Sequence, residues 1–204
     1  MGLPATISVI VCCYALGCVL PSYYAVKWKT GKDLRETGSG NAGATNAGRL
    51  LGKPAYVVLS LLDIFKGWAA CAGAVYFGLD GWWLAGAGLA VVAGHLWPAQ
   101  LGFRGGKGLS SAYGVLIYAA PWVALLMWAV LIMSWLAMRS MTLGVVQAFL
   151  SAPLLALAMH AEMPVTVLCF VLALVIALSH RRNIRDALQR RRERAHPTTE
   201  SSAA

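Results

Sequence analysis

Between Leu3 and Ser179 the chain alternates long apolar runs with polar interruptions, and only two acidic or basic side chains, Asp63 and Lys66, fall inside a run. A run of this kind in an apolar surrounding must satisfy every backbone N–H and C=O within its own segment, which selects helices. Composition agrees. Of the 204 residues 59% are hydrophobic and 12% charged, where a soluble domain carries about 25% charged residues. The expected fold is an all-α integral membrane protein. The opening MGLPATISVIVCC has no Lys or Arg, so it lacks the basic start of a cleavable signal peptide and reads as a retained first span.

Spans are expected at about 3–26, 54–77, 82–101, 109–120, 121–138, 141–160 and 164–179. The stretch 109–138 is either one long helix or two that turn at Ala119-Ala120-Pro121, and charge placement decides between them. With two helices the chain has seven spans, and one side of the membrane receives 27–53, 102–108, Arg139 and the tail. That side holds sixteen of the seventeen Lys and Arg residues, the seventeenth being Lys66; the other side holds only Asp80 and Glu162. Positive residues collect on the cytoplasmic side, so the N-terminus is expected outside and the C-terminus in the cytoplasm. Residues 1–194 form one polytopic domain, and 195–204, with its polar HPTTESSAA end, reads as a disordered tail.

The net charge of +9 follows from that sidedness and from contact with anionic membrane lipids or substrates, and it does not call for nucleic acid. The five cysteines all lie in apolar runs and read as small packing residues. No His, Glu or Cys cluster has metal-ligand spacing, so neither a metal nor a cofactor is expected.

Three polar patches fall on the basic side. The first is RETGSGNAGATNAGR, Arg35–Arg49, with Ser39, Asn41, Thr45 and Asn46 set between Gly38, Gly40, Gly43 and Gly48. It is either a flexible connection or a nest of inward-turned N–H groups that binds an anion, with arginine charge matched to phosphate. The second is GHLWPAQLGFRGGKG, Gly94–Gly108, in which Lys107 sits among Gly105, Gly106 and Gly108 just before a helix. A lysine there meets a phosphate already held by backbone N–H groups. It is not a nucleotide P-loop: the glycine spacing is one residue short, and Gly108 stands where the magnesium-binding Ser or Thr would be. The third is HRRNI, His180–Ile184, where His180 and Asn183 share a helix face. Asp63 and Lys66, also three apart, pair inside the second span, either structurally or as part of a substrate site. Ser39 has no histidine near it in sequence, and neither His95 nor His180 begins a His-x4-Asp pattern. A transporter of phosphorylated solutes is a weaker reading, because nearly all candidate ligands lie on one face.

In order, spacing and sidedness Gly38–Arg49, Gly94–Gly108 and His180–Ile184 resemble the three signature motifs of the PlsY family, bacterial integral-membrane acyl-phosphate:glycerol-3-phosphate acyltransferases. The Asp63-Ile64-Phe65-Lys66-Gly67 run is also similar to a family pattern. The resemblance covers essentially the whole chain. It departs after Asn183, where Arg185-Asp186-Ala187 replaces the common Arg-Leu-Leu, and at Leu109-Ser110-Ser111, where Val-Ala-Thr is common. It implies seven helices with an active site at the cytoplasmic face of the bacterial inner membrane. It also implies transfer of a fatty acyl group from acyl phosphate to the 1-hydroxyl of sn-glycerol 3-phosphate, giving lysophosphatidic acid and phosphate. By residue, Ser39, Gly40, Asn41, Gly43, Thr45 and Asn46 hold the phosphate of the donor, and Arg49, Lys107, His180 and Asn183 hold glycerol 3-phosphate. Ser39, Asn41, Lys107, His180 and Asn183 are the implied catalytic set. Gly105, Gly106 and Gly108 shape the second loop, His95 orders it or meets substrate, and Thr142 adds a hydroxyl.

Overall fold

A computed structural model describes residues 2–195, and they form ten α-helices joined by short turns and by two longer loops, 31–43 and 97–108. These are α1 (Leu3–Cys18), α2 (Pro21–Thr30), α3 (Ala44–Leu51), α4 (Lys53–Tyr76), α5 (Gly81–Leu96), α6 (Leu109–Ala119), α7 (Pro121–Met138), α8 (Met141–Ala158), α9 (Met163–Ser179) and α10 (Arg181–Ala195). Single 3-10 turns lie at Leu34–Glu36 and Ala99–Leu101. The chain is an all-helical, multi-pass integral membrane protein. Among the described residues five segments are long and apolar enough to cross a bilayer: 3–30, 53–76, 81–101, 121–138 and 141–158. A sixth arises if α9 is counted with α10, from which it is bent by 65°, while α6 is a shorter apolar helix. Large apolar side chains cover the outside, where Phe65, Leu125, Leu154 and Phe170 are more than half exposed, as a lipid-facing surface requires.

Three expectations need correction. The run 3–26 is not one helix: Val19 and Leu20 are extended, and Pro21 starts a second helix. Proline offers no N–H and pushes the residue before it out of the helical region. The polar stretch 27–53 is not a plain loop, since α2 runs on to Thr30 and α3 fills 44–51. The third span runs to Leu101 as expected, α5 closing at Leu96 and the 3-10 turn Ala99–Leu101 completing it. The arginine-rich tail is helical as far as Ala195, the first residue of the stretch read as disordered, while 196–204 lie outside the described residues.

Two helix pairs touch backbone to backbone. A Cβ on Gly17 of α1 would strike the Val91 carbonyl of α5, and one on Gly94 would strike that of Tyr14. Likewise a Cβ on Gly67 of α4 would strike the Ser111 carbonyl of α6, and one on Gly114 that of Ile64. Small residues at such crossings replace the hydrophobic drive that lipid cannot supply. Around them Val91, Val115, Leu116, Leu168, Leu172 and Ile176 form the dry centre.

The buried charges sit where the first span breaks. The Lys66 ammonium donates to the Val19 and Gly17 carbonyls at 2.7 and 3.1 Å, which α1 leaves unpaired at its end. It also forms an ion pair with Asp63 Oδ1 at 2.8 Å and lies 2.9 Å from His95 Nδ1. All three side chains are at most 5% exposed. One cation thus ties together α1, α4 and α5.

Candidate active site

The first glycine-rich loop is organised by its own side chains. Asn46, buried on α3, donates its amide to the carbonyls of Leu34, Thr37 and Asn41 at 2.9–3.0 Å and accepts from the Ser39 N–H at 3.0 Å. Asn41 Oδ1 accepts from the Gly43 N–H at 3.1 Å. Arg35 is engaged structurally as well: it pairs with Asp33 at 2.7 Å, donates to the Leu101 carbonyl and lies over the Tyr23 ring. Its hydrogen bonds hold the Asp33 carboxyl down at about 2. The loop then delivers the start of α3. Its N-cap, Gly43, has no side chain to fill the first-turn donors, so the N–H groups of Ala44 and Thr45 are left without acceptors in the helix.

The second loop is organised from outside. Its Gly105 and Gly106 N–H groups donate to the Leu96 and His95 carbonyls, each at 3.0 Å, folding the loop back onto the end of α5. Neither glycine has room for a Cβ, which would meet the His95 carbonyl at 105 and the His95 imidazole at 106. Ser179 of α9 donates its hydroxyl to the Lys107 carbonyl at 3.0 Å. The loop ends at Gly108, a left-handed N-cap at φ +79°, again with no capping side chain for α6.

Both helix starts face one polar cavity of about 140 Å³. Its walls carry Ser39, Asn41, Gly43, Thr45, Asn46 and Arg49 from the first loop and α3. Opposite stand Lys107, Gly108 and Ser110, with His180 and Asn183 from the α9–α10 bend. Asp63 and His95 also line it, bringing the buried charge cluster to its wall. Lys107 donates to Asn183 Oδ1 across the gap. Burial, with Arg49 beside it, holds the Lys107 ammonium below the ordinary lysine value, and Asp186 opposes this. His180 Nδ1 lies 2.9 Å from the Ile176 carbonyl; a carbonyl only accepts, so Nδ1 carries the proton and Nε2 is an acceptor. Burial lowers the His180 pKa, the Ile176 hydrogen bond raises it, and nearby Lys107 lowers it. Two uncapped helix N-termini, an arginine and a lysine give the cavity the chemistry that phosphate groups require.

A family model described as glycerol-3-phosphate acyltransferase matches residues 7–190. The chain is 40% identical over 181 residues to glycerol-3-phosphate acyltransferase 1 of Desulfitobacterium hafniense, covering 89% of this chain and 90% of that one. It is 38% identical to the Aquifex aeolicus glycerol-3-phosphate acyltransferase, covering 91% and 96%. The crystal structure of PlsY in its glycerol 3-phosphate form superposes with a TM-score of 0.84 at 37% identity, over 92% of this chain and 94% of that one. The lysophosphatidic acid form of PlsY gives 0.81 at 35% identity, over 92% and 93%. The chain belongs to the glycerol-3-phosphate acyltransferase family.

In this acyltransferase the fold gathers most of the residues singled out in the sequence. Ser39, Asn41, Gly43, Thr45, Asn46, Arg49, His95, Lys107, Gly108, His180 and Asn183 all line the cavity. Four are not among its walls. Gly40 turns the first loop at φ +71°, Gly105 and Gly106 seat the second on α5, and Thr142 lies half-buried in the first turn of α8. Asn46 reaches the cavity wall, yet its amide is engaged by the loop backbone. Tyr56, Ser60 and Ser110 were missed. Tyr56 and Ser60 sit at i and i+4 on α4, with Asp63 three further on, and that polar stripe at helical spacing was the available signal. Tyr56, Ser60, Leu109 and Ser110 also line an apolar groove of about 200 Å³ that continues between α6, α7 and α8 past Tyr113, Leu131 and Phe149.

Proposed function

We propose that this enzyme moves a fatty acyl group from acyl phosphate to the 1-hydroxyl of sn-glycerol 3-phosphate, and that it does so at the cytoplasmic face of the bacterial inner membrane. In this reading the chain has seven spans, with the short α6 as the fourth. The N-terminus is outside, and both glycine-rich loops and α10 are in the cytoplasm. The sidedness of Lys and Arg supports that orientation. The observation that carries the reading is the pair of side-chain-free helix starts, at Gly43 and Gly108, facing one cavity. Two substrates that each bear a phosphate need two such N–H clusters.

The donor phosphate sits on the α3 start with Ser39 and Thr45, and its acyl chain follows the apolar groove. Arg49, Lys107 and Asn183 hold the acceptor phosphate. His180 Nε2 accepts the hydrogen bond of the attacking hydroxyl. The hydroxyl oxygen bonds to the acyl carbon, the carbon–oxygen bond to phosphate breaks, and phosphate leaves with the electron pair and gains the hydroxyl proton. Acyl phosphate is already activated, so alignment and charge stabilisation suffice and no enzyme nucleophile is required. Lysophosphatidic acid and phosphate are the products.

Purified protein in bicelles, given acyl phosphate and glycerol 3-phosphate, is expected to release inorganic phosphate and form lysophosphatidic acid. Acyl-CoA offered in parallel is expected to give no product. Folded protein that is silent with acyl phosphate, or active with acyl-CoA, contradicts the assignment.

A further inference from the structure

A second basic cavity, of about 330 Å³, lies at the same end of the bundle, between the α7–α8 turn and α10. Three arginines line it, Arg139 from the turn and Arg190 and Arg191 from the helix, together with Ser140, and no acidic residue does. The fold enforces this convergence. Arg139 is fixed as the left-handed end of α7 at φ 51°, its N–H on the Trp135 carbonyl at 2.8 Å. Ala187, 6% exposed, packs α10 down, and Arg190 and Arg191 follow at i+3 and i+4 on the same helix face. Among the described residues none of the three arginines is in an ion pair. All three side chains are exposed and present like charge to one cavity, which favours an anion there.

Position says which anion. The turn joins two membrane-crossing helices, so it sits at the edge of the bilayer, and α10 leaves α9 at 65° to run across that end of the bundle. Phospholipid phosphates lie at this level, and guanidinium groups bind them in paired hydrogen bonds. We propose that the Arg139–Arg190–Arg191 cavity is a binding site for the phosphate head group of an anionic phospholipid of the surrounding bilayer. It is separate from the polar cavity, and no residue lines both. The two are joined by α10, which carries Asn183 into the first and Arg190 into the second.

The test uses the full chain in nanodiscs of phosphatidylcholine with and without phosphatidylglycerol, read by native mass spectrometry as retained phosphatidylglycerol and by the melting temperature. Wild type is expected to retain phosphatidylglycerol over phosphatidylcholine and to melt higher when it is present. R139Q/R190Q/R191Q is expected to weaken that retention roughly a hundredfold, the scale set by three interfacial arginines, and to lose the rise in melting temperature. K27Q/K29Q/K32Q, which removes the same charge from α2 and the turn after it, is expected to keep both. Should the triple arginine variant fail to fold, R190Q/R191Q on exposed helix carries the test with roughly a tenfold loss or more. Equal retention in wild type and the arginine variants overturns the site, as does an equal loss in the lysine variant. Displacement by millimolar inorganic phosphate overturns the lipid assignment in favour of a soluble anion.

Discussion

The two glycine-rich loops reach the same end by opposite means. Each finishes at a glycine that starts a helix without a capping side chain. The first loop is held from within, by Asn46 on three carbonyls and by Arg35 on Asp33. The second is held from without, its glycines pressed on His95 and its Lys107 carbonyl bonded by Ser179. Glycine therefore does two different jobs. At Gly40 it supplies a left-handed turn with space around it, the nearest atom to a Cβ being the Arg35 carbonyl at 3.4 Å. At Gly106 it supplies absence of bulk beside an imidazole.

The largest expected effect comes from removing the cations the two loops present. Lys107→Ala and Arg49→Ala are each expected to lower kcat/KM by about 10²–10³-fold, the scale for losing one preorganised electrostatic partner, with membrane insertion intact. Near-normal kinetics in either, with phosphate release as the readout, would remove that residue from the phosphate site. The next effect separates the loops. Gly106→Ala is expected to reduce activity more than tenfold, because neither His95 nor the backbone can yield, whereas Gly40→Ala costs about 1 kcal/mol of left-handed strain and keeps most activity. Similar losses in both variants would erase the distinction between turning and packing. The smallest effect is a shift in pH profile. Lys107 is cationic below its pKa, and that pKa lies below the ordinary 10.5. Activity is expected to fall as pH rises through a midpoint under 10.5, and Lys107→Arg, if active, moves that fall beyond reach because guanidinium stays protonated. An alkaline limb unchanged by the arginine variant would assign it to another group.

The order of apolar runs and three polar patches was legible because lipid solvent and phosphate chemistry both leave strong local patterns. What escaped was set by tertiary contacts. The α3 segment, ATNAGRLL, reads as loop: glycine, asparagine and threonine are weak helix formers, and the helix is held by Asn46 and Ala47 buried beneath it and by Gly48 against Tyr56. Asn46 reads as a phosphate ligand, because an exposed and an internally bonded amide look alike in a sequence. The partners of Lys66 were equally hidden, since Gly17, Val19 and His95 come from 29 to 49 positions away. The break at Pro21 was readable in principle, and only the unbroken hydropathy across it concealed the turn.

The shared wall of Tyr56, Ser60, Leu109 and Ser110 joins the polar cavity to the apolar groove. In the proposed reaction one substrate then arrives from an aqueous volume and the other from a two-dimensional film. The donor's effective concentration is its mole fraction in the membrane, and adding inert lipid dilutes it while the bulk amount stays constant. The product begins its life already seated in the leaflet, with only its phosphate to release.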